Sequence, residues 1–256
     1  MPIPAPLTRP SAETLGLDDF NTPPCAVGVW TSTFRIRHDR VLKVPVFTGE
    51  NTEESTYLND ICINVTQNEG QILRRSREHH GIIKCFDIRD GMLELAYAHG
   101  TNLRRFIEQT PMPSEETRRG FLVSLVDTLE YVHARRVLVR DIELRNILIQ
   151  DGELKLAEFG TSYMLPEDTE MESISVYWTT PEVEILHLGC VLYSVAAWRE
   201  FRFDYYKHRR WPRPDQLPST DGVLGGYIIR NCWGRRYRTM EALVDDMVVF
   251  AGRYYC

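Results

Sequence analysis

Residues Val137–Gly160 read VLVRDIELRNILIQDGELKLAEFG. Two short apolar runs, Ile147–Ile149 and Leu154–Ala157, flank Asp151-Gly152. Asp-Gly between apolar runs predicts a β-hairpin, because Gly accepts the positive φ of a tight turn. Folding about that turn sets Ile149 against Leu154 and Ile147 against Leu156. Asn146 then lies beside Ala157 and Glu158, so an amide and a carboxylate converge at the open end. Asp141, five residues before Asn146, sits on the loop that feeds the first strand. A loop carboxylate with two oxygen ligands at a hairpin mouth suits Mg²⁺ and a phosphate ester.

The surrounding chain has 256 residues, enough for one large or two small domains with a sizeable core. It is 43% hydrophobic and 26% charged, as in ordinary globular proteins. A net charge of −6 argues against nucleic acid or an anionic membrane as the main partner. The Pro-rich start MPIPAPLTRP lacks the apolar core of a signal peptide, and no run of ~18 apolar residues is present to span a bilayer. The expected setting is intracellular: cytoplasmic or nuclear. Six cysteines form no C-x-x-C pair and none has a His at metal-ligand spacing, so reduced thiols are expected. Residues 1 to about 24 hold six of the 14 prolines and read as a flexible arm before one domain over 25–256.

Ala26–Phe34 and Arg35–Val46 read as three short strands, with His38-Asp39-Arg40 as a turn. A helix is expected from about Ser55 to Arg77, with the apolar stripe Leu58, Ile61, Val65, Ile72 and Leu73. Glu69 falls in that stripe, and a carboxylate on an apolar face requires a partner. Lys43, in the apolar strand Val41–Val44, reads on its own as an edge-strand lysine. Strands are expected at Ile82–Ile88 and Met92–Ala96. His79 and His80 read as turn residues. Asn102 caps a short helix, LRRFIEQ, and Pro113-Ser114-Glu115-Glu116 opens the longest helix, to about Arg135. Its stripe is Leu122, Leu125, Val126, Leu129 and Val132, with His133 in a hydrogen-bonded core role. The basic, aromatic run 199–213 reads as a solvated face, and Val223–Cys232 and Met240–Phe250 as closing helices.

These motifs, in this order, resemble the protein kinase family. That family carries H-R-D-L-x-x-x-N, a hairpin, then D-F-G. Here stand Val139-Arg140-Asp141-Ile142, Asn146, and Glu158-Phe159-Gly160. The resemblance runs from roughly Val27 to Phe250. It implies an α+β, two-lobed fold: a β-rich small lobe over about 25–98 and a mostly helical large lobe over about 99–256. It also implies ATP and Mg²⁺ as cofactors and a protein substrate or partner, with neither nucleic acid nor membrane.

Residue by residue, the resemblance assigns Lys43 and Glu69 to the phosphate-holding ion pair. Asp141 would orient the acceptor hydroxyl, and Asn146 and Glu158 would bind Mg²⁺. Gly28 belongs to a loop over the phosphates, and Ala96–Ala98 to the adenine hinge, backed by Leu95. Departures accompany these matches. Only Gly28 remains of the glycine-rich loop, with Thr31, Ser32 and Thr33 where further glycines belong; weak ATP binding is the expectation. Glu158 is longer than the family's Asp. Glu143 reverses the charge of a Lys that steadies the transferring phosphate, and Arg145 would restore it. Thr161–Thr180 is the expected activation segment, with Arg140 as a phosphate ligand. Thr180-Pro181-Glu182 resembles A-P-E; Glu182 should pair with a late Arg, Arg236 or Arg238. Only Val183 separates this motif from Glu184, which begins the helix anchoring the large lobe; the family inserts a loop there. Two functions follow: phosphoryl transfer to protein Ser, Thr or Tyr hydroxyls, or a pseudokinase serving as a nucleotide-binding or interaction scaffold.

Overall fold

Asp151 and Gly152 adopt φ of +53° and +81°, the paired positive values of a two-residue hairpin turn. The computed structural model describes residues 23–48, 52–76 and 79–252. The expected Pro-rich arm falls almost entirely outside them. β7 (Ile147–Gln150) and β8 (Glu153–Leu156) pair with Ile149 opposite Leu154 and Ile147 opposite Leu156, the register that the Asp-Gly turn dictates. The described residues fall into two compact units, one within Met1–Arg77 and Ile83–Tyr97, the other within Glu78–Ile82 and Ala98–Cys256.

Among its described residues, the small unit is a five-stranded antiparallel sheet with one helix. β1 (Ala26–Val27), β2 (Thr31–Arg37), β3 (Arg40–Pro45), β4 (Cys85–Arg89) and β5 (Met92–Ala96) lie in the order β1-β2-β3-β5-β4. Leu42 and Val44 of β3 pack with Met92, Phe34 and Ile36 on one face. Lys43 alternates to the other face, opposite Leu93 of β5. The fourth strand begins at Cys85, not at Ile82. Ile82 belongs to the larger unit, where it makes a single parallel bridge to Leu156.

α1 (Glu53–Arg75) starts at Thr52, whose side chain accepts from the Ser55 N–H. With 23 residues it is longer than the helix expected to be longest. Its buried face is also rotated from the expected stripe. Ser55, Cys62, Thr66, Glu69, Ile72 and Leu73 are buried, whereas Leu58 is exposed and Ile61 and Val65 are half-buried. Thr66 turns inward because its hydroxyl donates to Cys62 O at 2.8 Å, which satisfies the polar group within the helix. Gly70 permits a close approach to the sheet: a Cβ there would stand 3.0 Å from Leu93 Cδ2.

The large unit is mostly helical: α2 (Leu103–Gln109), α3 (Glu115–Ala134), α4 (Pro181–Ala197), α5 (Tyr205–His208), α6 (Gly226–Trp233) and α7 (Met240–Phe250). Asn102 and Ser114 cap α2 and α3 through their side chains. The expected stripe of α3, Leu122 through Val132, is buried, each such side chain contributing roughly 1.5–3 kcal/mol. α6 starts three residues later than expected, because Gly225 takes φ +66° and Gly226 closes a turn onto Val223. α4 is buried along nearly its whole length and forms the centre of this unit. β6 (Val137–Leu138) pairs with β9 (Tyr163–Met164), bracketing the loop and hairpin between them.

Candidate active site

In the small unit, Lys43 Nζ lies 2.9 and 2.7 Å from the two carboxylate oxygens of Glu69. Their side chains are 4% and 0% exposed. The sheet alternation that turns Lys43 toward α1 and the helix period that puts Glu69 over β3 bring them together. Such a pair fixes the Lys43 side chain within an apolar wall.

The rest of the small-unit assignment is geometrically less favourable to phosphate. The Gly28 N–H donates to Thr31 O at 2.8 Å, so it closes a tight turn and is not directed at a ligand. Ala96 is buried at the end of β5 and donates its N–H to Lys84 O at 2.8 Å. Tyr97 follows with its N–H on Asp39 O, and Ala98 begins the large unit.

In the large unit the loop that leads into β7 is built around Glu184. This residue is fully buried in the first turns of α4. One of its oxygens accepts the Arg140 N–H, and the other lies 2.6 Å from His133 Nε2. Arg140 holds φ +66°, an unfavourable conformation for a side-chain-bearing residue, and Glu184 supplies the hydrogen bond that keeps it there. Ser162, just after Glu158-Phe159-Gly160, donates its hydroxyl to Val139 O at 2.9 Å. Phe159 is fully buried, while Glu158 is exposed. Asn146 donates from Nδ2 to Asp141 O at 2.9 Å, and Ala157 N–H donates to Asn146 O at 3.0 Å. Asp141, Asn146 and the hairpin mouth therefore come together as the turn register requires. The Asn146 side-chain amide is thus engaged through its nitrogen, with its oxygen as the remaining end.

Arg145 lies among the carboxylates of its own loop. Its Nε lies 3.0 Å from Glu143 Oε2 and its Nη2 3.4 Å from Asp141 Oδ2. Arg202, from the basic run after α4, pairs with the other Glu143 oxygen and lies 3.4 Å from Asp204. Burial, and then the neighbouring Asp141 carboxylate, pushes Glu143 up to about 7, against the pull of the two arginines. Arg202 is the functional candidate that the sequence reading left in a solvated face. Trp211 of the same run is not on a free aromatic face either: its indole N–H donates to Trp233 O at 2.5 Å.

The late partner of Glu182 is Arg235, at 2.8 Å, and neither Arg236 nor Arg238. Arg235 takes φ +58° after Gly234, which redirects its side chain; Arg238 lies 3.6 Å from Glu172 instead. α4 runs without interruption from Pro181 through Glu184, so no loop intervenes between Thr180-Pro181-Glu182 and the anchoring helix. Within residues 161–180, Tyr177 and Trp178 are exposed on a tight turn, both with positive φ. The Arg140 guanidinium lies 5.8 Å from the Tyr163 ring and 5.6 Å from that of Tyr206.

His79, His80 and Asp127 bring three potential ligand atoms within 4.8 Å of one another. The chemistry of His79 opposes a metal there. Its Nδ1 accepts the Gly81 N–H, so its Nε2 carries the proton and donates to Asp127 at 3.1 Å. The two rings stack rather than converge on a point, which fits turn residues. Among the described residues no helix is long and apolar enough to cross a membrane.

A family model described as the protein kinase domain matches residues 44–198, more than half of the sequence. The chain belongs to the protein kinase domain family. It is 29% identical over 157 residues to a probable serine/threonine-protein kinase of Dictyostelium discoideum, covering 58% of this chain and 31% of that protein. An SNF1-like protein kinase of Schizosaccharomyces pombe is 25% identical over 183 residues, covering 61% of this chain and 32% of its own length. Cyclin-dependent kinase 17 of Caenorhabditis elegans is 29% identical over 210 residues, covering 68% and 32%. The chain thus spans about a third of the length of these relatives. The match begins at Val44, so the glycine-poor β1 and β2 lie outside it.

Proposed function

We propose that this chain is an ATP-dependent phosphotransferase acting on protein Ser, Thr or Tyr hydroxyls. The observation that carries the reading is the buried Lys43–Glu69 pair, found in one unit while Asp141 and Asn146 are joined in the other. An ion pair desolvated this completely costs stability unless it is well formed, and holding phosphate is the use that justifies it. Lys43, steadied by Glu69, would hold ATP phosphates. Asn146 and Glu158 would hold Mg²⁺, which supplies charge neutralisation for the transferring phosphate. Asp141, half-buried, would accept or orient the proton of the attacking hydroxyl. The serine/threonine-protein kinases among its relatives favour Ser and Thr as acceptors. An intracellular setting, with protein substrates rather than nucleic acid, agrees with the acidic composition.

A second reading, a nucleotide-binding or interaction module without transfer, has its own support: Arg145 is spent on Glu143 and Asp141 rather than held for a substrate phosphate. Titrating ATP with and without Mg²⁺, and then following the γ-phosphate onto protein, separates the two. Mg²⁺-dependent binding followed by transfer supports the enzyme; binding without transfer supports the module.

A further inference from the structure

We propose that Arg202 is a positioning residue for the catalytic loop, acting through Glu143 to set the Arg145 and Asp141 side chains. The inference rests on the phosphoryl-transfer reading of Asp141 for its consequence in catalysis, but not for its geometry.

Four side chains form a continuous charged chain. Arg202 binds one oxygen of Glu143, Arg145 binds the other at 3.0 Å, and Arg145 reaches on to Asp141 at 3.4 Å. Glu143 is the enclosed member, with its side chain 14% exposed against 47% for Arg202 and 53% for Arg145. A carboxylate this enclosed between two guanidiniums is held in one rotamer, and whatever holds it fixes Arg145 as well.

The anchor lies on the Arg202 side. Phe201 N–H donates to Ser194 Oγ at 2.9 Å, and that hydroxyl donates to Cys190 O at 2.7 Å within buried α4. Phe203 is buried, and the Phe201 ring packs edge-on against Tyr193 and Trp233. Residues 201 and 203 therefore face inward, and the extended backbone directs residue 202 to the opposite side, toward the loop. Asp204 holds the same guanidinium at 3.4 Å from behind and caps α5. The charge reversal at 143 is thus answered from outside the loop by a rigid arm of α4. Glu143 serves as the socket of that arm, not as a negative charge facing the phosphate.

Four proteins test this: wild type, Arg202→Ala, Glu143→Gln and the double variant, with Arg202→Lys as the conservative control. Amide hydrogen exchange over residues 139–146 is the readout that needs no activity. Arg202→Ala should speed exchange there while leaving the β7–β8 hairpin protected, and adding it to Glu143→Gln should change nothing further. Where transfer is measured, Arg202→Ala should lower kcat on the order of 10-fold with KM nearly unchanged, because misplacement of the reacting groups and not substrate binding is affected. Arg202→Lys should recover part of that loss. Unchanged loop exchange in Arg202→Ala, or additive effects in the double variant, would overturn the proposal whether or not the protein transfers phosphate. Absence of transfer in wild type, with loop exchange behaving as expected, would remove the enzyme reading and leave the clamp standing.

Discussion

Lys43→Met removes the partner of a carboxylate that has no access to water. Glu69 is 0% exposed, and both of its oxygens bond Lys43 Nζ at under 3 Å. Breaking a buried pair by removing one member costs about 3–5 kcal/mol, because the buried charge left behind loses this ionic partner without regaining water. For a chain of this size that is a fall in Tm of roughly 6–20 °C. Removing both, in Lys43→Met/Glu69→Leu, should return most of the loss, since well-packed apolar replacements of buried pairs are close to neutral. Thermal denaturation of the four proteins of the cycle, with hydrogen exchange of α1 and β3 to localise the loss, measures all of this. A single variant within about 1 kcal/mol of wild type, or additive effects in the double variant, would refute the reasoning.

Glu184→Ala should destabilise the large unit by about 3 kcal/mol or more, since it orphans the Arg140 N–H and the buried His133 at once; chemical denaturation measures it. Arg235→Ala should cost under about 1 kcal/mol by the same assay, because the Glu182 pair is largely exposed. Burial holds His187 down at about 4, so the unfolded chain binds the extra proton between about pH 6.5 and 4, and stability is lost as pH falls through that window. The loss is on the order of 3 kcal/mol, and His187→Gln should flatten it in a pH series of melting curves. Glu158→Asp should strengthen Mg²⁺-dependent nucleotide binding in calorimetry; weaker binding would mean that Glu158 is the adapted ligand.

How much of this was legible depends on the range of the interaction. The hairpin and its register follow from Asp151-Gly152, because a turn with two positive φ values leaves only one pairing of the flanking residues. The Glu69 carboxylate on an apolar helix face called for a partner, and the family resemblance, not the pattern, pointed to Lys43. The N-terminal half of the α1 face was misread because Thr66 conceals its hydroxyl on its own helix and Leu58 is left outside, which a hydrophobic pattern does not reveal. Arg235 was missed among three nearby arginines, since its choice depends on a left-handed backbone at that residue. Arg202 was hidden in a basic run; the Phe-Arg-Phe alternation was the available signal, but only the packing of α4 shows where the arginine points. The same network shows what Arg145 touches, Glu143 and Asp141, which its place just before Asn146 did not reveal.

The enzyme reading stands or falls on transfer through Asp141. Wild type and Asp141→Asn should be compared at saturating ATP and Mg²⁺ on one mixed peptide and protein library, with phosphate located by mass spectrometry. Wild type should transfer phosphate to hydroxyls, and the variant should be slower by ~10²–10⁴ with an unchanged melting curve, because the carboxylate is part-exposed on a loop. Nucleotide bound by wild type with no phosphate transferred, or equal transfer by both proteins, would contradict it.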